Sequence, residues 1–472
     1  MRAAAWCCAV AFASSRVVFA AEQWALTQLD IPRTAASSPR AEETSPPRVV
    51  VAVVDTGVDL LHPGLPPANQ WRNASEVANG LDDDGDGYVD DLIGWNFVDG
   101  DNMPWDDCGH GTHVAGIIAA ATDDPNGVVG IAPTAVIMPL KVASFAGHAR
   151  SDAIAAAIRY AVGHRAQIVN LSLGGDEITQ AERDALDEAA KSGVLVVAAA
   201  GNSARADAYG YAAVPSVLVV GASARDEARA SFSNGGARLD LVAPGEDIVS
   251  LRARGTDFIL TSRAEGYSAG GAFAGDGLYY RASGTSFAAA VVSGVAARVL
   301  TERPALAPSD VKRVLMQSAK DLGVPGVDAV TGYGRVDYRA ALAQDPQRFI
   351  EARIDSVVPL LRDRTVWLDV AGDANADDFA DATLALAGAS GDDGVPIGAP
   401  IAAPVAHGLL ARLDLADVMK HQTAEPARAP SAHIGEWLLE LTVRGTRGEV
   451  RSARMRISLP DASSAPVGEA KP

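Results

Sequence analysis

A series of short apolar runs, rich in β-branched residues, punctuates the chain between residues 49 and 242. They are Val49–Val54, Val136–Leu140, Ile168–Leu173, Val194–Ala199, Val217–Val220 and Leu239–Val242. Runs of this length with no polar alternation predict strands buried on both faces, as in a parallel sheet. Helical periodicity lies between them. Ser151–Val162 opens on a cap residue and places Ile154, Ile158 and Val162 on one face, and Gln180–Ser192 predicts a second helix. Alternating strand and helix predict an open, mostly parallel α/β sheet with helices on both faces. Such sheets carry their sites at the carboxyl ends of the strands. After Ala343 the period changes. Thr365–Val370, Glu436–Val443 and the alternating Met455, Ile457 and Leu459 predict short strands, so residues 349–460 read as a small C-terminal β-sandwich domain.

The two ends read differently. In residues 1–20, Arg2 precedes the apolar run Ala3–Ala13, and Val18-Phe19-Ala20 follows before Ala21. This resembles a signal peptide with a small-residue cleavage site and predicts export to a secreted or cell-envelope location. Arg16 interrupts the segment, which leaves open a longer N-terminal segment upstream. Residues 21–47, rich in Ser, Pro, Arg and Glu from position 34, read as an N-terminal arm, and 461–472 as a polar tail. No later stretch reaches the roughly 18 to 20 uninterrupted apolar residues of a membrane span.

Composition narrows the function. The chain has 472 residues, 48% of them hydrophobic, and a net charge of −19. That length allows a large core. The acidic balance argues against nucleic acid or an anionic membrane as partner and suits a protein that holds cations. Cys7 and Cys8 fall in the leader, so only Cys108 remains and no disulfide framework forms.

Three segments carry candidate chemistry. Asp55 ends the first buried run, before Thr56-Gly57. His110 lies in Cys108-Gly109-His110-Gly111-Thr112-His113-Val114-Ala115-Gly116, a turn into an apolar helix. Ser286 lies in Ser283-Gly284-Thr285-Ser286-Phe287-Ala288-Ala289-Ala290, a turn into a helix of small residues. A serine hydroxyl becomes a nucleophile when a base takes its proton. Histidine titrates near neutrality and can be that base, and a buried carboxylate fixes its tautomer. Taken singly, the Asp could cap a turn, the Ser could cap a helix and the His could bind metal. Their joint order with these flanks points to nucleophilic catalysis.

The segments Val53–Asp59, Gly109–Gly116 and Ser283–Ala289 resemble the three signatures of the subtilisin-like serine peptidases, the subtilases. The resemblance spans roughly residues 22–345, and Gly130–Pro133, Asn170–Gly175, Ala198–Asn202 and Thr331–Asp337 share in it. It implies a subtilisin-like peptidase domain over 48–345 and a triad of Asp55, His110 and Ser286. His113 is then structural, and Asn202 is the oxyanion asparagine. Ser172, Leu173 and Gly174 would pair with an extended substrate and, with Ala198–Gly201, wall the primary specificity pocket. Within those walls Ala199 and Gly201 are small and uncharged, so apolar or aromatic side chains are expected before the scissile bond. The expected partners are protein or peptide substrates, and the chain is expected to be a monomer. Two positions depart from the family pattern. Phe287 stands where Met is usual and Ala290 where Pro is usual, and both are expected to be packing positions. The stretch 253–280 is longer and richer in Gly than is typical. The competing class is a non-catalytic binding protein on a protease scaffold.

Metal signals come last. Asp82, Asp84 and Asp86 alternate before a Gly as in the first half of a calcium-hand loop, with Asp90 close behind. The twelfth position is Ile93, so the hand is incomplete. The alternative is a solvated acidic loop; a similar insert in some subtilases implies structural calcium. Asp124, in Thr122–Val128, matches the family's calcium loop, although the usual partner Asp is Gly64 here. Asn73-Ala74-Ser75 is a glycosylation triplet. The β-domain has no Ser, His and Asp cluster, so a chain ending near Gln347 is expected to hydrolyse a short peptide. Subtilases usually carry an inhibitory propeptide. Gln23-Trp24-Ala25-Leu26 resembles the start of the peptidase domain, so the expectation leans to a missing upstream segment over unaided folding.

Overall fold

The computed structural model describes residues 22–33, 48–122, 127–208, 210–256, 273–274, 277–388, 394–422 and 436–459. The leader, residues 34–47, the tail and Asp124 lie outside the described residues, as do 257–272 and 275–276 of the Gly-rich stretch.

The six apolar runs and one short strand that they did not include, Trp95–Asn96, form one seven-stranded sheet. Its strands are β1 (Val50–Asp55), β2 (Trp95–Asn96), β3 (Val136–Lys141), β4 (Ile168–Leu171), β5 (Leu195–Ala199), β6 (Leu218–Ser223) and β7 (Leu241–Pro244). Every pairing is parallel and the order is β2-β3-β1-β4-β5-β6-β7. Burial on both faces explains the unbroken apolar runs: Val51, Ala52, Val53 and Val54 of β1 are all fully buried. One face packs on the helices His110–Ala119 and Thr285–Glu302, the other on Ser151–Gly163 and Gln180–Lys191. The chain moves from β1 to one side and then back to β4 on the other. This reversal opens a crevice at the carboxyl ends of β1 and β4.

Differences from the sequence reading are local. The run 168–173 leaves the sheet after Leu171, so Ser172 and Leu173 lie beyond the ladder. Trp24–Gln28 is a short helix with Trp24 and Leu26 buried in the peptidase core, so this part of the arm is packed.

A small antiparallel sheet of β8 (Ile248–Leu251), β9 (Phe273–Ala274) and β10 (Tyr279–Ala282) lies near the His110 helix. Beyond residue 349 come two antiparallel sheets. One orders β11 (Ile350–Arg362), β12 (Thr365–Ala376) and β15 (Val405–Asp414). The other orders β14 (Val395–Ile401), β13 (Phe379–Gly388), β16 (Glu436–Gly445) and β17 (Val450–Ser458). They bury Ile354, Val370, Leu384, Leu439 and Leu441 in a shared core. This is the sandwich that the alternation predicts.

The sandwich is anchored to the parallel-sheet unit. Val327 N–H donates to the Ser452 carbonyl and Arg454 N–H to the Val327 carbonyl, both at 2.8 Å. Arg353 Nη2 donates to Asp240 Oδ1 at 2.6 Å, both side chains being buried, and Lys312 Nζ lies 3.1 Å from Asp240 Oδ2.

Candidate active site

Asp55 ends β1 and is 1% exposed. Its Oδ1 accepts from Thr56 N–H and from His110 Nδ1, each at 2.7 Å. His110 is the first residue of its helix, capped by Gly109 at φ 101°. The glycine after it is forced by proximity. A Cβ on Gly111 would lie 2.1 Å from the Gly57 carbonyl oxygen and 3.1 Å from Asp55 Cβ. A side chain there would push the histidine off the aspartate. The Gly-His-Gly pattern is therefore a close approach of helix to strand end.

Ser286 is the second residue of the helix Thr285–Glu302. Its Oγ donates to the Ser172 carbonyl and Ser172 Oγ donates to the Ser286 carbonyl, both at 2.9 Å. The nucleophile candidate is thus tied to the segment after β4. Asn202, beyond the end of β5, is held by Thr285. Its Oδ1 accepts from Thr285 N–H and Thr285 Oγ1, both at 2.8 Å. That fixes which end of the amide is the donor. Nδ2 lies 3.6 Å from where a Cβ on Gly284, the cap of the Ser286 helix, would stand. Thr285 Oγ1 also accepts from Gly201 N–H at 3.1 Å. The sequence reading gave Thr285 no role of its own, although its place beside Ser286 was the available signal.

Ser172, Leu173 and Gly174 run out from β4 towards Gly175, whose carbonyl accepts Gly210 N–H at 2.9 Å. Ala199 ends β5, buried, and Gly201 turns at φ 105°. These two segments flank the helix start that carries Ser286, and none of their residues is charged.

The electrostatics suit a base. Burial disfavours protonation of His110, but the Asp55 charge and hydrogen bond outweigh it, and the imidazole pKa is raised above its ordinary value. His113 is fully buried and pushed down to about 3, first by burial and then by His110. It is neutral at any working pH, which fits the structural role expected of it. Its ring packs 4.4 Å from that of Phe287, which also meets the His110 ring at 5.5 Å. Burial pushes the Cys108 thiol up to about 12, so it is inert as a nucleophile.

A model of the subtilase family matches residues 47–334. Subtilisin DY of Bacillus licheniformis is 33% identical over 297 residues, covering 62% of this chain and 91% of that protein. The thermophilic serine proteinase of Bacillus sp. (strain AK1) is 34% identical over 287 residues, 61% of this chain and 60% of its own length. Among solved structures, a lanthipeptide protease shares 26% identity and a TM-score of 0.50, covering 68% of this chain and 93% of that one. The chain belongs to the subtilase family. Its class is that of the serine endopeptidases, hydrolases of the peptide bond. The family match ends at residue 334, so the sandwich lies outside it.

In this subtilase the acidic loop is more compact than its sequence suggests. Ligand oxygens of Glu76, Asp82 and Asp84 lie within 4.8 Å of one another, and Asp84, Asp86 and His164 form a second such group. Glu76 and His164 are separated from the aspartates in sequence, which hid them. Asp90 points elsewhere, accepting from the Asn79 and Gly80 amides. The all-oxygen group of Glu76, Asp82 and Asp84 fits a hard cation such as calcium. Of the second calcium candidate, Asp124 lies outside the described residues, and Gly64 brings no carboxylate to it. Asn73 is buried, its Nδ2 donating to Asp84 and Asp91, so the glycosylation triplet is closed to a glycan. No helix among the described residues is long and apolar enough to cross a membrane.

Proposed function

We propose that this subtilase is an exported endopeptidase working by acyl transfer, with Asp55, His110 and Ser286 as its triad and Asn202 as an oxyanion donor. The observation that carries the reading is the 2.7 Å bond from His110 Nδ1 to buried Asp55 at the strand end facing the Ser286 helix. Asp55 holds Nδ1–H, which leaves Nε2 as the acceptor for the Ser286 proton. Ser286 Oγ attacks the peptide carbonyl carbon. The tetrahedral oxygen is met by Asn202 Nδ2 and the Ser286 backbone N–H, aided by the positive end of the helix. His110 then gives its proton to the leaving amine, and water repeats the sequence on the acyl-enzyme.

Ser172–Gly174 supplies the extended edge along which substrate adds as a strand. With Ala199 and Gly201 it forms uncharged walls, which favour apolar or aromatic residues before the scissile bond. The peptidase domain is taken as 48–345 and the sandwich as 349–460, the latter binding or docking. Glu76, Asp82, Asp84 and Asp86 would hold calcium and brace the loop, with no part in the chemical steps. Fluorophosphonate labelling tests the reading. The wild type is expected to take one label and Ser286→Ala none. No label on the wild type, or equal label on the variant, sinks it and favours a binding protein on a protease scaffold.

A further inference from the structure

A carboxylate outside the triad lies between the two elements that carry Asp55 and His110. Asp106 is 8% exposed. Its Oδ1 accepts from Thr56 Oγ1 at 2.9 Å, Cys108 N–H at 3.0 Å and Gly109 N–H at 2.7 Å. Its Oδ2 accepts from Thr112 N–H at 2.9 Å and Thr112 Oγ1 at 2.6 Å. Three of the five are backbone amides, which can only donate. The two hydroxyls are also set to donate, since each receives an amide of its own. Gly111 N–H bonds Thr56 Oγ1 at 3.0 Å, and Asp59 N–H bonds Thr112 Oγ1 at 2.9 Å. Burial raises the Asp106 carboxyl pKa above its ordinary value in spite of these bonds; all five partners nonetheless donate, so the arrangement matches the anion, because a proton on either oxygen would face a donor.

We propose that Asp106 is a positioning residue of the site: its charge at the N-terminus of the His110 helix, bonded to Thr56 and Thr112, aligns His110 with Asp55 and supports the imidazolium formed when Ser286 gives up its proton. The proposal rests on the triad reading. Thr56 follows Asp55 directly, and Thr112 lies in the first turn of the His110 helix, so one carboxylate fixes both. Negative charge is favourable at that helix end.

The surroundings leave few other charges to do this. Lys141, at the end of β3, pairs with Asp107 at 2.7 Å and bonds the Thr56 carbonyl. Arg254 pairs with Asp59 at 2.9 Å. His113 on the same helix is neutral, Cys108 keeps its proton, and Tyr280 from β10 bonds the Gly109 carbonyl through its hydroxyl. Asp55 and Asp106 are the anions near His110 with no Lys or Arg partner among the described residues, and both raise the imidazole pKa.

The test measures kcat and KM against pH on one short peptide, for the wild type and Asp106→Asn. Wild-type activity is expected to rise across the neutral region with a midpoint above about 6.5, because His110 must be neutral to accept a proton and its pKa is raised. In Asp106→Asn the midpoint moves down by about half a unit or more and plateau kcat falls about tenfold, with KM little changed. A lowered melting temperature with an unmoved midpoint and kcat overturns the proposal and leaves Asp106 a helix cap. Should Asp106→Asn fail to fold, Thr56→Val keeps the charge and cuts the link to Asp55. It is then expected to lower kcat severalfold, and unchanged kcat overturns the proposal. The His110 imidazole titration, read by NMR in Ser286→Ala, separates this outcome from the triad reading. A wild type that takes no fluorophosphonate sinks the triad, while the titration still reads the Asp106 charge.

Discussion

The parallel sheet and the C-terminal sandwich bury strands in opposite ways. In β1 and β6 nearly every side chain is enclosed, because helices cover both faces. In β12 and β16 burial alternates, since one face meets the other sheet and one meets water. The consequence is chemical. A sheet enclosed on both faces can present polar groups only where its strands end, and Asp55, Ser172 and Asn202 all stand just there. The sandwich spreads its charge along its strands as pairs such as Arg454–Glu440. Such pairs neutralise each other and hold no free nucleophile or base. One region concentrates reactivity and the other disperses it, and the two meet through Arg353 and Asp240.

The largest expected effect tests that concentration. Asn202→Ala removes the proposed oxyanion donor while leaving β5 intact. Losing one such donor costs roughly 100- to 1,000-fold in kcat, about 3 to 4 kcal/mol. The melting temperature should fall as well, because buried Thr285 N–H and Oγ1 lose the acceptor that Asn202 Oδ1 gives them, so kcat is compared per folded molecule. A kcat within threefold of wild type would place the oxyanion elsewhere.

The next effect tests the junction. Arg353→Leu leaves Asp240 buried with Lys312 as its remaining cationic partner and the Val219 amide as a donor. Removing one member of a buried pair costs about 3 kcal/mol or more. Burial opposes ionisation of Asp240, but Lys312 and Arg353 hold its pKa below the ordinary carboxylate value. The lost stability is therefore present above the ordinary carboxylate pKa and fades as pH falls through the folded value. Denaturant midpoints at pH 7 are expected to fall, while kcat per folded molecule stays constant. A chain ending near Gln347 lacks Arg353 and uncovers buried Val327 and Tyr333. It is expected to cleave a short peptide when folded, but to unfold more readily. Equal stability of the two would make the sandwich a passive appendage.

The same contrast explains what the sequence made legible. Unbroken β-branched runs end in Asp55 and Ala199, and Gly-rich turns surround His110 and Ser286, so the sheet and the segments on which the proposed site rests were visible locally. The sandwich was visible through its alternation at 436–443 and 455–459. Hidden were the partners that come from distant positions. Thr285 clamping Asn202 spans 83 residues, and Arg353 reaching Asp240 spans 113. Neither periodicity nor motif carries such information, because each hydrogen bond is decided by packing. Asp106 was hidden differently: it stands four residues before His110 in Trp105-Asp106-Asp107, and nothing in two adjacent carboxylates says which of them is buried. Asp107 is half exposed and Asp106 is buried.

The smallest effect concerns the acidic loop, the part of the peptidase unit that most resembles the sandwich in its exposed charge. Here the charge has one sign. Glu76 is buried and accepts the Asp83, Asp84 and Asp90 amides, while Asp82 accepts those of Gly85, Asp86 and Gly87. These amides draw the carboxylates together without cancelling their repulsion. A hard cation among Glu76, Asp82 and Asp84 would cancel it. Binding to the folded state alone adds about 2.7 kcal/mol at a hundredfold excess over the dissociation constant. Chelator is thus expected to lower the melting temperature by a few degrees. Asp82, Asp84 and Asp86 replaced together by Asn should abolish most of that response. The substitution should also raise the melting temperature measured in chelator, since it removes the repulsion. A wild-type melting temperature indifferent to chelator would show a loop held by its own amides, and the contrast with the sandwich would then lie in the sign of the charge alone.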